Sequence, residues 1–178
     1  MTGWRPGDPI ADRSSMLRVD QAGEYGATRI YAGQLAVLRR NCPEAKLIAR
    51  MAAQEERHLK RFNALIADRR VRPTVLQPLW NVAGFALGAA TALMSEKAAL
   101  ACTDAVETEI DRHYADQLAA LGDDDSELSA DIAEFQAEEL EHRDTAREAG
   151  AAQAVGYPLL TAAIRAGCRV AIGLSKRI

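Results

Sequence analysis

Two glutamate–histidine pairs at the same spacing constrain this chain more than any other feature. Glu55-x-x-His58 lies in "AAQEERHLKRF" and Glu139-x-x-His142 in "FQAEELEHRDT". Residues i and i+3 of a helix share a face, so each pair can turn two ligand side chains toward one ion. A single Glu-x-x-His is weak evidence, since solvated helices carry such pairs by chance. These two sit inside a repeat. At an offset of 83, "AGEYGATRIYAGQLAVL" (22–38) and "AVETEIDRHYADQLAAL" (105–121) coincide at nine positions, among them Glu24/Glu107 and Tyr31/Tyr114. At an offset of 84, Glu55 falls on Glu139 and His58 on His142. Two apolar stretches, "PLWNVAGFALGAATALMSEK" and "PLLTAAIRAGCRVAIGLSKR", match loosely at an offset of 80. The chain reads as a duplicated three-helix unit.

Helix punctuation supports this. Ser14 or Ser15 can cap a first helix running to about Arg40, and Pro43 suits the first turn of a second that runs to about Arg70. After "VRP" a third, apolar segment extends to Met94. Ser95 can cap a fourth helix ending at Leu121, "GDDDS" is a turn, and the fifth helix spans about 127–148, followed by Gly150. A sixth spans about Pro158–Ser175. No stretch alternates with period two for long enough to make a convincing strand. Abundant alanine and leucine with only 5% aromatic residues agree with an all-α chain. Residues 1–15, with two prolines and no apolar h-region, read as a flexible N-terminal arm, and 16–178 as a single domain.

Net charge of −3 gives no electrostatic case for nucleic acid. Three cysteines far apart, with no CxxC, argue against a disulfide framework and for a reducing compartment.

The repeat delivers a set of six: Glu24, Glu55, His58, Glu107, Glu139 and His142. Counting along antiparallel hairpins at ~1.5 Å per residue returns the members of each half to roughly one level. Two such hairpins, face to face, bring four carboxylates and two imidazoles around one point. That is the inventory of a di-iron carboxylate site in a four-helix bundle. Four carboxylates carry −4 and two ferrous ions carry +4; without metal the carboxylates would repel, desolvate or take up protons. Oxygen and imidazole donors with no thiolate suit iron or manganese over zinc.

The stretch "AEELEH" (137–142) poses a choice, because Glu138 and Glu139 can both share a face with His142. The repeat selects Glu139: Gln54, a poor iron ligand, stands opposite Glu138, and Glu55 stands opposite Glu139. Glu138 and Glu141 are then expected in water, with an outer role around the metals the most either could take. Tyr31 and Tyr114, seven residues after Glu24 and Glu107, share the ligand face; they read as core tyrosines or as donors beside the metals. His113 reads as a polar or partner-facing histidine or as part of the active-site rim, and Asp104 as exposed or as the orienter of a histidine ligand. Pro73–Ser95 holds no charged residue, but Gln77, Pro78, Asn81 and its glycines make it a poor spanning helix. Together with Pro158–Ser175, which carries Arg165 and Arg169, it reads as an apolar surface lying in a membrane interface, with a buried core or oligomer helix as the alternative.

"RVDQAGEYGATRIYAGQLAVL", "RVRPTVLQPLWNVAGFALGAATAL", "ACTDAVETEIDRHY", "EELEHRD" and "AGCRVAIGLS" closely resemble the demethoxyubiquinone hydroxylase family of ubiquinone biosynthesis, over nearly everything after residue 15. The resemblance implies a ferritin-like four-helix bundle with two additional apolar helices. It implies a monooxygenase that hydroxylates the ring of a polyprenylated demethoxy-benzoquinol with O2, drawing electrons from NADH. It implies two iron ions held by Glu24, Glu55, His58, Glu107, Glu139 and His142; on a mechanistic hypothesis Glu55 and Glu139 bridge and the other four are terminal, with Tyr114, His113 and Tyr31 as candidates for a place beside the metals or at the rim. It also implies a peripheral place on the inner (cytoplasmic) membrane of a bacterium or the matrix face of the mitochondrial inner membrane, with a homo-oligomer and an accessory lipid-binding protein as further partners to test. Gly23 and Gly26 would leave room for a flat ring or an isoprenoid tail. One departure is visible: the family's "VDHAGE" histidine is Gln21 here. Two other classes share the ligand set or the apolar surface: a ferroxidase or iron-binding ferritin-like protein, and a non-catalytic lipid-binding scaffold.

Overall fold

The computed structural model of the chain describes residues 12–178; the expected N-terminal arm lies, up to residue 11, outside them. Six α-helices follow in order: α1 (Arg13–Val37), α2 (Pro43–Asp68), α3 (Gln77–Met94), α4 (Glu96–Leu121), α5 (Ser126–Glu148) and α6 (Tyr157–Ser175), with one 3-10 turn at Ala151–Gln153. Among the described residues there is no strand.

The ends have local causes. Asp12, not Ser14 or Ser15, caps α1 by accepting from the Ser15 amide at 3.0 Å, and the helix stops at Val37, short of Arg40. Pro43 opens α2 behind the Cys42 cap. Ser95 caps α4 and Asp125 caps α5, each accepting an amide hydrogen bond three residues on. Gly156, at φ 69°, makes the turn into α6, which begins one residue earlier than the sequence suggested.

α1 and α2 form one antiparallel hairpin, and α4 and α5 a second. α3 packs on α1 and α6 on α4, so in each half the first helix carries both others. The α1–α3 crossing is close enough to demand glycine. A Cβ on Gly33 would sit 2.1 Å from the Phe85 carbonyl oxygen, and one on Gly88 would sit 1.9 Å from that of Ile30. These neighbours are backbone and cannot swing away.

Two apolar clusters fill the ends of the bundle, besides a smaller one of Ile30, Cys102, Ala105, Val106 and Ile164 where α6 meets α1 and α4. One gathers late α1, early α2, early α4 and late α5, with Leu38, Ile48, Met51 and Leu100 at its centre. The other gathers Leu17, Phe62, Leu65, Tyr114, Leu121, Leu128, Ile132 and Phe135 from the opposite ends of the same four helices. Between them lies a polar layer. α3 buries only Gly88, Thr91 and Ala92, so most of its length faces outward. Val82, Leu93 and Met94 on α3, and Leu159 and Val170 on α6, are among the exposed large apolar side chains. No helix among the described residues is long and apolar enough to cross a membrane.

Candidate metal centre

The polar layer consists of the six residues that the repeat singles out. Glu24, Glu55, His58, Glu107, Glu139 and His142 are all buried at 2% exposure or less. Their atoms form two overlapping groups, Glu24, Glu55, His58 and Glu139, and Glu55, Glu107, Glu139 and His142. Within each group the nearest oxygens and nitrogens lie within 4.8 Å of one another. Glu55 and Glu139 belong to both groups, while each remaining residue belongs to one.

Both imidazoles turn Nδ1 inward. His58 Nδ1 is 3.0 Å from Glu139 Oε1 and 3.4 Å from Glu24 Oε2; His142 Nδ1 is 3.1 Å from Glu55 Oε1 and 3.1 Å from Glu139 Oε2. Each Nε2 points outward, to Glu138 Oε2 at 2.8 Å from His58 and to Gln54 Oε1 at 2.9 Å from His142. Nε2 therefore carries a proton in both rings, and Nδ1 is the nitrogen that faces the centre, where a metal ion can take its lone pair in place of any proton it holds. Phe135 stacks on the His58 ring at 4.1 Å and fixes its plane.

These groups fit metal ions. Glu24 Oε2, both oxygens of Glu55, His58 Nδ1, Glu107 Oε2 and Glu139 Oε1 are buried without a hydrogen-bond partner. So many buried acceptors converging on one point cost several kcal/mol each unless cations or protons compensate. In the protein alone, protons do so. Burial, then the charge of neighbouring carboxylates, holds Glu55 and Glu107 well above the ordinary carboxylate range. Burial raises Glu139 too, against the opposing pull of His58. Burial on its own would lower His58, but Glu139 and Glu24 outweigh it and lift the ring to about 10; His142 is lowered, chiefly by burial.

Two tyrosines brace the layer from opposite sides. Tyr31 on α1 donates to Glu107 Oε1 on α4 at 2.7 Å, and Tyr114 on α4 donates to Glu24 Oε1 on α1. Burial and the surrounding carboxylates push both phenols well above 10, so both stay protonated donors. His113 does not reach the centre. Its Nε2 lies 3.1 Å from Asp20 Oδ1, which also accepts from Gln117 Nε2 at 2.7 Å. Gln21 is buried and donates to Asn63 Oδ1 at 3.1 Å, tying α1 to α2. Asp104 is neither exposed nor near a histidine; it is buried and accepts from Arg147 Nε at 2.7 Å and from the Tyr157 hydroxyl.

A cavity of about 560 Å³ opens beside the layer, walled by α1, α3, α4 and α6 and lined almost wholly by apolar side chains. Gly23 and Gly26 face it, and a Cβ at either would meet nothing within 4 Å. It shares Val19, Gly23, Ile110 and Ile172 with a smaller recess of about 30 Å³ that reaches Glu24, Asp20, His113 and Tyr114.

Sequence reasoning missed one feature and ranked another second. Glu109, 2% exposed on the cavity wall, is held by Arg165 Nε at 2.7 Å and Arg169 Nη1 at 2.9 Å. Two arginines four apart on one face of an otherwise apolar helix were the available signal. Glu138 is half-buried rather than free in water, gripped by Arg57 and joined to His58. Glu141 is exposed.

The chain matches the family model described as "Ubiquinone biosynthesis protein COQ7" over residues 11–175. It is 57% identical over 177 residues to the 3-demethoxyubiquinol 3-hydroxylase of Rhodospirillum rubrum, covering 97% of this chain and 82% of that protein. It is 53% identical over 167 residues to the human NADPH-dependent 3-demethoxyubiquinone 3-hydroxylase, mitochondrial, covering 92% and 76%. The mitochondrial 5-demethoxyubiquinone hydroxylase of Saccharomyces cerevisiae is 44% identical over 179 residues, covering 92% and 77%.

Proposed function

The chain belongs to the COQ7 family and is a hydroxylase of ubiquinone biosynthesis, and from that premise we propose that it hydroxylates the ring of a polyprenylated demethoxy-benzoquinol with O2 at a di-iron centre. Glu24 and His58 would hold one ion and Glu107 and His142 the other, with Glu55 and Glu139 between them. Membership of those two glutamates in both atom groups supports this division. Iron held by these residues would supply the redox chemistry that activates O2.

The observation that carries the substrate reading is the cavity. Its apolar walls suit an isoprenoid tail, and its recess brings a ring within reach of Glu24, Tyr114 and His113. Gly23 leaves the ring's path clear on α1. Tyr31 and Tyr114 hold Glu107 and Glu24 by one oxygen each, leaving the second for metal. His113, whose Nε2 is held by Asp20, lines the recess, and its other ring nitrogen could accept a hydrogen bond from a ring hydroxyl placed there. Burial of the whole layer keeps bulk water from the reacting ring.

NADH is taken as the electron source; the name of the human relative supports the nicotinamide class. The exposed apolar side chains of α3 and α6 support peripheral binding to the membrane that holds the quinone, through Pro73–Ser95 and Pro158–Ser175. Complementation tests the reading. Expressed in a strain lacking its quinone-ring hydroxylase, the chain restores the mature quinone and clears the accumulated demethoxy precursor. Persistence of the precursor, with iron-loaded protein present in the cells, contradicts the substrate assignment.

A further inference from the structure

The two histidines of the centre are held from outside by different chemistry. His58 Nε2 meets a carboxylate, Glu138 Oε2 at 2.8 Å; His142 Nε2 meets a neutral amide, Gln54 Oε1 at 2.9 Å. The two partners occupy matching positions. Each immediately precedes the inward glutamate of its own helix, and each reaches across to the histidine of the other helix, from α5 to α2 and from α2 to α5. Glu138 is fixed by the Arg57 guanidinium, which also binds Glu134 at 2.9 Å. The position that matches Arg57 at the same offset of 84 is Glu141. The matching position therefore lacks the cation that Glu138 uses.

We propose that Glu138 and Gln54 make the two metal positions unequal, the ion on His58 being held more tightly and carrying more ligand electron density than the ion on His142. This rests on the six-residue centre proposed above. The cause is general. A carboxylate accepting the outer N–H of a metal-bound imidazole draws its proton outward and makes the inner nitrogen a stronger donor, whereas an amide oxygen does so weakly. Loss of such an outer partner typically lowers metal affinity 10–100-fold.

The test uses the full chain, stripped of metal and titrated with ferrous iron without oxygen, followed by Mössbauer spectra of the loaded form. Wild type takes up two ions in steps separated by at least about tenfold and gives two distinct doublets of equal area. Glu138→Gln keeps the shape and the hydrogen bond but makes both outer partners amides. It weakens the tighter step about 10–100-fold, brings the two steps together, and moves one doublet while leaving the other in place. Gln54→Ala weakens only the looser step and moves only the other doublet. A general loss of packing would move both, and thermal melting of the metal-free variants checks that each still folds. If Glu138→Gln leaves both steps and both doublets unchanged, or shifts both alike, the inequality is not set by Glu138. If wild type binds no iron, the proposed centre falls and takes this inference with it.

Discussion

The Tyr31 hydroxyl on α1 donates to Glu107 Oε1 on α4 at 2.7 Å, and Tyr114 returns the same bond from α4 to Glu24 on α1. The two bonds cross-link the first helices of the two halves on either side of the centre. Removing one donor leaves a buried carboxylate oxygen unpaired. Tyr31→Phe and Tyr114→Phe should each cost about 1–3 kcal/mol of stability, the range for a buried acceptor left without its partner. Melting of the metal-free variants reads this cost, and metal analysis should show that each still retains iron.

Gly88 and Gly23 should answer differently to the same change. A methyl at Gly88 would fall 1.9 Å from a carbonyl oxygen, whereas one at Gly23 meets nothing within 4 Å. Gly88→Ala should destabilise by about 3 kcal/mol, the upper range of overpacking. Gly23→Ala should be neutral or up to about 1 kcal/mol stabilising, since alanine is the better helix former. Denaturant unfolding of the two variants side by side decides this.

A larger side chain at Gly26 should block the proposed tail path without breaking the bundle, because Gly26 faces the 560 Å³ cavity. Gly26→Leu should lower kcat/KM at least about tenfold, or about 1.4 kcal/mol of transition-state binding. A substrate with a truncated tail should be affected less than one with a long tail. Equal losses for both would place the tail elsewhere.

Metal-free stability should fall as pH rises. Glu55, Glu107 and Glu139 titrate above the unfolded value of 4.5, and His58, at about 10, above its unfolded 6.5. A raised folded-state pKa means that the folded chain binds more protons, so this stability is complete below the unfolded values and is lost as pH climbs through the folded ones. His142, lowered by burial, opposes the trend near 6.5 but is one group against four. The melting temperature of metal-free protein should therefore drop between about pH 5 and pH 9. Ferrous iron replaces those protons, so the gain on adding it should grow with pH over the same interval. Melts with and without iron across a pH series measure both.

What the sequence made legible followed from periodicity and identity together. The six buried Glu and His residues were readable because a helix puts i and i+3 on one face and because the repeat matched like with like. Gln54 opposite Glu138 was enough to send Glu139 inward. The same comparison left Glu138 in water, because a contact across the bundle from α5 to His58 on α2 has no signature in the local pattern of either helix. Glu109 was lost for a related reason: it stands two residues from Glu107, about 200° round the helix, and its burial depends on two arginines of α6. Cap positions shifted by a few residues because Asp12, Ser14 and Ser15 are all competent N-caps and only the packed helix chooses among them. The apolar run of α3 read as a surface, with a core helix as the alternative, because composition alone does not say which face packs. The glycine-tight crossing on α1 shows how one of its faces packs while the other stays open.

The most direct measurement is turnover of iron-loaded protein with a demethoxy-benzoquinol, a nicotinamide donor and isotopically labelled O2, followed by mass analysis of the quinone product. A monooxygenase centre built on Glu24, Glu55, His58, Glu107, Glu139 and His142 predicts one labelled oxygen on the ring of wild-type product, and neither iron nor product with Glu139→Ala. An unlabelled hydroxyl, or an undiminished labelled product from Glu139→Ala, would contradict it.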